Sequence, residues 1–268
     1  MPPEAEPRRV EIAGLRVSAI AMPDALAAIE RWIATRDRQF VCITGVHGVI
    51  ESRADPELKA IHDRAGLVTP DGMPLVWMAR RLGHPGTRRV YGPDLMRALT
   101  ELSARRGYRQ YYFGGGPGLA ERLRDRLLAR FPNLRVVGLH APPFGPISPE
   151  DDEAMVAAIN AARPDIVWVG LSTPKQEYWM DRHRGRIEAP VMIGVGAAFD
   201  FLAGTKRQAP KWMQRSGLEW LFRLGSEPSR LWRRYGQIVP RFLILASGQL
   251  LRHALSRRLP PRDSVPQR

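Results

Sequence analysis

Short apolar runs alternate with amphipathic stretches along the first three-quarters of the chain. Positions 40–44 (FVCIT), 66–69, 110–113 (QYYF), 134–138, 165–171 (DIVWVGL) and 191–195 are rich in β-branched and aromatic residues, the pattern of strands buried on both faces. Between them, 24–34, 56–64, 74–82, 93–106, 117–130, 149–162 and 174–184 place apolar residues at helical spacing. Six of these seven segments open on proline, which is tolerated in the first helical turn because its missing N–H would have no partner there. Strands separated by helices of this length predict right-handed crossovers and a Rossmann-like α/β fold, a mostly parallel sheet with helices on both faces. Residues 10–20 around Gly14 read instead as a small hairpin at the sheet's edge.

After Gly204 the strand-like runs stop. Arg- and Trp-rich helical patterning follows at 210–216, 218–224, 228–235 and 238–255, and 260–268 reads as a frayed tail. The pattern divides the chain into an α/β core over 1–205 and a basic helical appendage over 206–268. The run 242–251 (FLILASGQLL) is too short to cross a bilayer, and no run reaches about 18 apolar residues. Flanked by Arg230, Arg233, Arg234, Arg252, Arg257 and Arg258, it fits a helix lying in a membrane interface; a helix packed on the core fits equally well.

Charge sharpens this division. The net charge is +14, and residues 206–268 hold 14 Lys/Arg against Glu219, Glu227 and Asp263, a net of +11, whereas 1–205 hold 27 basic and 24 acidic side chains. Of the 41 basic residues 37 are arginine, whose forked guanidinium suits phosphate. Nucleic acid, anionic lipid and a diphosphate substrate all fit such a tail. The single cysteine, Cys42, leaves no disulfide within the chain and no cysteine zinc cage, as in a reducing compartment. The first nine residues lack the apolar core of a secretory signal.

In open α/β sheets, ligands bind beyond the carboxyl ends of the strands. The polar residues expected there are Thr44, Asp71 in Thr-Pro-Asp-Gly, glycines 114–116, the loop at His140, and 172–176. Asp71, braced by Pro70 and Gly72, suits a general base taking a proton from a hydroxyl, or equally an N-cap for a helix at Met73–Pro74. Gly114-Gly-Gly-Pro-Gly118 breaks the dinucleotide fingerprint and has no Walker lysine, which leaves a tight strand-to-helix turn or a phosphate cradle. The six histidines are scattered, no Asp-x-Asp is present, and Asp151-Asp-Glu153 falls in a helical first turn. With no G-x-S-x-G motif and Cys42 in mid-strand, covalent hydrolase chemistry has no nucleophile. The arginine-rich tail is the available counter-charge for phosphate.

Several short motifs then occur in order. They are Thr69-Pro-Asp-Gly72, Arg89-Val-Tyr-Gly-Pro-Asp-Leu95, Gly170-Leu-Ser-Thr-Pro-Lys-Gln-Glu177 and Gly194-Val-Gly-Ala-Ala-Phe-Asp-Phe-Leu-Ala-Gly204. Ala209-Pro-Lys-Trp212, Leu218-Glu-Trp220 and Glu227-Pro-Ser-Arg230 follow, with Arg233, Arg234 and Tyr235 behind them. The series resembles the WecG/TagA/CpsF family, glycosyltransferase family 26, over about residues 10 to 245. The resemblance implies a bacterial enzyme moving a sugar from a UDP-sugar to a polyprenyl-diphosphate-linked saccharide at the cytoplasmic face of the membrane, with inversion at the anomeric carbon and no metal or other cofactor. It places the family's general base on Asp71, its active-site threonine on Thr44, the arginine before the Gly-x-Asp-Leu motif on Arg89 and the glutamine of Pro-Lys-Gln-Glu on Gln176. The appendage arginines fall on Arg223, Arg230 and Arg233, and Asp94 and His47 join the substrate-binding candidates. The loop at 140–145 is expected to border the nucleotide.

One position departs from the family. Asparagine is usual two residues after the threonine, whereas this chain has Val46 followed by His47. Either His47 takes over part of that contact or the donor is not of the N-acetylmannosamine type; a purely structural histidine at a helix start is the third reading. A nucleic-acid partner is not expected, because Trp212, Trp220 and Trp232 are spaced as apolar anchors and no helix-turn-helix is present. The missing fingerprint disfavours a nucleotide-dependent reductase, and Thr44, Asp71, Arg89 and Gln176 argue against a scaffold without catalysis. An anionic membrane surface is the expected partner, and an apolar edge uncovered by a swinging appendage leaves a homo-oligomer open.

Overall fold

A computed structural model describes residues 7–143, 145 and 147–258, with the side chains of Arg230, Arg257 and Arg258 outside the described set, as is the expected tail at 260–268. A hairpin, β1 (Arg9–Ile12) and β2 (Leu15–Ser18), leads into α1 (Met22–Thr35) and β3 (Gln39–Thr44). Then come α2 (Val46–Ala54), α3 (Pro56–Arg64), β4 (Leu67–Pro70), α4 (Met73–Arg81), α5 (Gly92–Arg106) and β5 (Arg109–Gly114). The core closes with α6 (Leu119–Arg130), β6 (Arg135–His140), α7 (Pro149–Ala161), β7 (Ile166–Gly170), α8 (Lys175–His183), β8 (Val191–Gly194) and α9 (Ala198–Ala203).

All six strands expected for the main sheet are present. They pair in parallel in the order β4-β3-β8-β7-β5-β6. Alternate residues feed two apolar layers: Phe40, Cys42, Val167 and Val169 face one side, Val41, Ile166 and Trp168 the other. Helices α1, α5, α6 and α9 cover the second face with Trp32, Leu99, Leu123 and Phe199. The first face is covered by α2, α3, α4, α7, α8 and the hairpin, through Val49, Ile61, Met78, Ile159, Met180 and Val17. The hairpin lies beside edge strand β4, where the Val68 N–H donates to Ser18 Oγ at 3.1 Å.

The sequence pattern does not mark α2 or α9. Helix α2 carries Gly48 in its interior, normally a helix-weakening residue, but a Cβ there would stand 2.9 Å from Thr44 Cγ2. Glycine is what lets the helix press against the end of β3. The expected helix start at Pro117 moves to Leu119, because Gly118 adopts a left-handed conformation, φ 75°.

The appendage consists of α10 (Lys211–Arg215), α11 (Glu219–Ser226) and α12 (Pro228–Arg258). The break expected between residues 235 and 238 does not occur, and α12 runs through Pro240. Proline removes the hydrogen bond to the carbonyl four residues back, here that of Gly236. Both residues face solvent, so water can take the freed carbonyl. Ile238, Phe242 and Ala246, spaced four apart, bury against the α2–α4 layer. Gln249 fastens the helix to the hairpin by donating to Glu11 O at 2.7 Å and accepting from Ala13 N at 2.9 Å. Core packing therefore claims one face of the 242–251 run, while Leu243, Ile244 and Leu251 of the same run remain exposed. Among the described residues, no helix is long and apolar enough to cross a membrane.

Candidate active site

A cleft of about 1010 Å³ opens beyond the carboxyl ends of β3, β4, β7 and β8, where a parallel sheet places its ligands. Its floor comes from the core, through Thr44, Asp71, Ser172 and Gln176. The appendage closes one side with Glu219, Arg223 and Arg234.

Asp71 follows the last residue of β4. Its backbone N–H donates to Thr44 O at 3.0 Å, pinning the turn to the neighbouring strand. The carboxylate does not cap α4, whose N-cap is Gly72. Its Oδ1 instead accepts at 3.1 Å from Gly92 N, the first amide of α5, so the positive end of that helix faces it. Burial pushes Asp71 up to about 6; the Arg89 charge opposes this, Glu219 adds to it, and the Gly92 N–H and Arg223 pull it down. The result is a carboxyl that ionises close to neutrality, the property a general base requires.

Arg89 is held from three directions. Its Nε donates to the Asp71 carbonyl, its guanidinium lies 3.9 Å over the Tyr91 ring, and a terminal nitrogen meets Glu219 Oε2 at 2.5 Å. Tyr91, whose hydroxyl burial keeps protonated, donates to Glu219 Oε1 at 3.0 Å. Both carboxylate oxygens of an appendage residue are thus committed to the core beside Asp71. Replacing Glu219 by glutamine removes one negative charge near Asp71 and leaves Arg89 to act on it more strongly. Both effects favour the ionised base, so the acid limb of kcat/KM is expected at lower pH than in the wild type; an unmoved limb would show that Glu219 does not influence the base.

Thr44 lies in the floor with its hydroxyl directed downward. Leu58 O can only accept, so Nδ1 of buried His62, 2.9 Å away, carries the proton. Nε2 then accepts from Thr44 Oγ1 at 3.2 Å, and burial lowers the His62 pKa in keeping with a neutral ring. His47 lines the cleft from α2, pairs with Glu51 at 3.2 Å, and is held below its ordinary pKa by burial first and then by Arg234.

Gln176 is buried under the end of β8, where a Cβ on Gly194 would come within 3.0 Å of its amide. Nε2 donates to Glu177 Oε1 at 3.1 Å, and Thr173 Oγ1 donates to the same oxygen at 2.9 Å. Gln176 Oε1 and Glu177 Oε2 have no hydrogen-bond partner among the described residues. An orphaned buried acceptor costs about 1–3 kcal/mol. Ser172 beside them stands in the left-handed region, φ 67°, a conformation that for a non-glycine residue clusters at functional sites.

Other expected residues fall elsewhere. Asp94 is not in the cleft wall; it pairs with Arg97 at 3.0 Å and Lys211 at 3.5 Å, bridging α5 to α10. Arg233 is exposed and lies 5.4 Å from the Trp232 ring, while its neighbour Arg234 lines the cleft. Adjacent helical residues point about 100° apart, so only one of the two can face inward. Arg223 does line the cleft, over Phe201 at 5.9 Å; the Arg230 side chain lies outside the described residues. Gly114 belongs to a tight strand approach, since a Cβ there would meet the Gly170 backbone at 2.8 Å. His140 stacks on Phe113 at 5.5 Å, away from the cleft wall, and Phe144 in the same loop is outside the described residues. Glu219 and Arg234 were not singled out as site residues by the sequence, although both sit inside its motifs.

Sheet and cleft define an α/β enzyme whose site gathers a carboxyl that ionises near neutrality with Arg81, Arg89, Arg223 and Arg234 at the carboxyl edge of parallel strands. Residues 10–256 match the Glycosyl transferase WecG/TagA/CpsF family, and the chain belongs to that family. It is a glycosyltransferase. The chain is 28% identical over 184 residues, 69% of each protein, to the N-acetylglucosaminyldiphosphoundecaprenol N-acetyl-beta-D-mannosaminyltransferase of Bacillus spizizenii. The Bacillus subtilis protein of that name is 28% identical over 197 residues, 70% of this chain and 75% of its own. Its Staphylococcus aureus counterpart is 30% identical over 183 residues, 68% of each.

Proposed function

We propose that the enzyme transfers a sugar from a UDP-sugar to a saccharide carried on a polyprenyl diphosphate, with inversion and without a metal. The observation that carries this reading is the placement of Asp71, a carboxyl ionising near pH 6, in one cleft with Arg223 and Arg234. The acceptor hydroxyl attacks the anomeric carbon as Asp71 takes its proton. The bond from that carbon to the β-phosphate oxygen breaks, its electron pair leaves on UDP, and the guanidiniums meet the charge that develops there. Of the other carboxylates in the cleft wall, Glu219 is engaged by Arg89 and Tyr91, Asp200 accepts from Thr205, and Glu177 lies buried beneath the floor. Among the described residues, no side-chain or backbone donor reaches Asp71 Oδ2, whereas Oδ1 accepts from Gly92 N. The lipid-linked acceptor is proposed by analogy with the relatives named above.

Exposed Trp212, Trp232, Ile244, Leu251 and Leu255 lie among the appendage's basic residues, which supports a peripheral position on an anionic membrane at its cytoplasmic face. The test is a panel of UDP-sugars, needed because Val46 replaces a polar family position, offered with an N-acetylglucosaminyl diphosphate lipid. Acceptor-dependent UDP release, an inverted product anomer and indifference to chelator are expected. Retention of configuration, or UDP release that ignores the acceptor, would overturn the reading.

A further inference from the structure

Side chains from three elements bring nitrogen to one part of the cleft wall: His47 from α2, Arg223 from α11 and Arg234 from α12. The two guanidiniums are charged at any working pH; the imidazole is not. Its one protein contact fixes the state of the ring. A carboxylate only accepts, so Nε2, 3.2 Å from Glu51 Oε1, carries the proton of the neutral imidazole. Nδ1 is then a bare lone pair, and it has no hydrogen-bond partner among the described residues. Burial comes first and Arg234 next in disfavouring a charged ring; Arg223 adds to them, and Glu51 opposes. Of the other elements packed on α2, α3 brings His62, a neutral ring under Thr44, β3 has no charged residue, and Arg16 of β2 faces solvent. Asp71 faces Gly45, two residues before His47, and is itself acted on by Arg89 and the Gly92 N–H.

A diphosphate reverses this balance. It offsets both guanidiniums, offers an oxygen to an Nδ1–H, and sets negative charge beside the ring. An opposite charge within about 4–6 Å favours the charged form by about one to three pH units. The empty cleft thus avoids crowding a third cation against two others, and the filled cleft gains it. We propose that His47 is a third ligand of the donor's diphosphate, taking a proton from the solvent onto Nδ1 as the diphosphate arrives and hydrogen-bonding through it to a phosphate oxygen. This rests on the glycosyl-transfer reading above, which sets the same diphosphate on Arg223 and Arg234.

The proton can be watched without turnover. Nitrogen-15 NMR of the full chain follows each histidine ring through a pH titration, and His47→Gln identifies the His47 signals by their loss. Saturating UDP is expected to raise the His47 midpoint by about one pH unit or more, with Nδ1 the nitrogen that gains the proton. Uridine, which has no phosphate, should leave the midpoint in place. Arg234→Gln should raise the midpoint of the free enzyme, because one repelling charge is gone. Calorimetry at a pH between the two midpoints adds a count: the wild type should take up as much as about one proton more per UDP than His47→Gln, since groups common to both cancel. A His47 ring that UDP leaves unmoved, or equal proton counts, overturns the proposal while the transfer reading stands. A shift caused by geranyl diphosphate and not by UDP also overturns it, by giving the cluster to the acceptor's diphosphate. UDP that fails to bind removes the donor reading and this inference with it, whereas a shift without sugar transfer removes the reaction alone.

Discussion

Asp71→Asn is expected to lower kcat by about 10²–10⁴-fold, the usual contribution of a positioned general base, with little change in thermal stability. The two outcomes separate because of how the carboxylate is used. Oδ1 accepts from Gly92 N, and an asparagine carbonyl oxygen can accept from the same amide, so the junction between β4 and α5 survives. Burial, the largest influence on Asp71, disfavours the charged form, so a neutral amide also relieves a desolvation penalty. What the amide cannot do is take a proton. A stable, folded Asp71→Asn enzyme with wild-type turnover would remove Asp71 from the chemistry.

Loss of the appendage guanidiniums is the second large effect. Arg223→Ala or Arg234→Ala is each expected to reduce kcat by about 10²–10³-fold, as when one preorganised donor to a developing anion is removed. On the proposed reading both act on one diphosphate, so the double variant should fall short of the product of the two. Lysine at either position keeps the charge but not the fork and should restore turnover only in part. Arg233→Ala provides the contrast. Its guanidinium lies by Trp232 outside the cleft, so in a soluble-acceptor assay turnover should stay close to wild type. A large loss in Arg233→Ala with none in Arg234→Ala would mean that α12 is rotated in the working enzyme.

Those two adjacent arginines show where sequence reading stops. The parallel sheet was legible because its strands are continuous apolar runs between proline-led helices; Asp71 was legible because it follows such a run directly, and Gln176 because it sits in a Pro-Lys-Gln-Glu motif shortly after another. The rotational phase of α12 was not legible. It depends on Ile238, Phe242 and Ala246 finding the α2–α4 layer, and the break expected between 235 and 238 is absent because one helix carries that face without interruption. The partner of Arg89 lies 130 residues away, in a Leu-Glu-Trp motif that carries no mark of its destination. Thr44 was found as a position, but its bond to His62 required knowing that α3 packs beneath β3. Gly48 was invisible for a related reason. A glycine inside a helix reads as a weakness until the threonine methyl it makes room for is in place.

The central claim, that Asp71 works as the base from a site that holds its pKa near 6, is tested most directly by the pH dependence of kcat/KM at saturating co-substrate. This parameter reports the ionisations of the free enzyme. A base must be ionised to act, and Asp71 is raised to about 6, so activity should climb tenfold per pH unit below that value and level off above it. The limb should vanish from the residual activity of Asp71→Asn. A profile still flat down to pH 4.5, or one whose limb persists unchanged in that variant, would contradict the account.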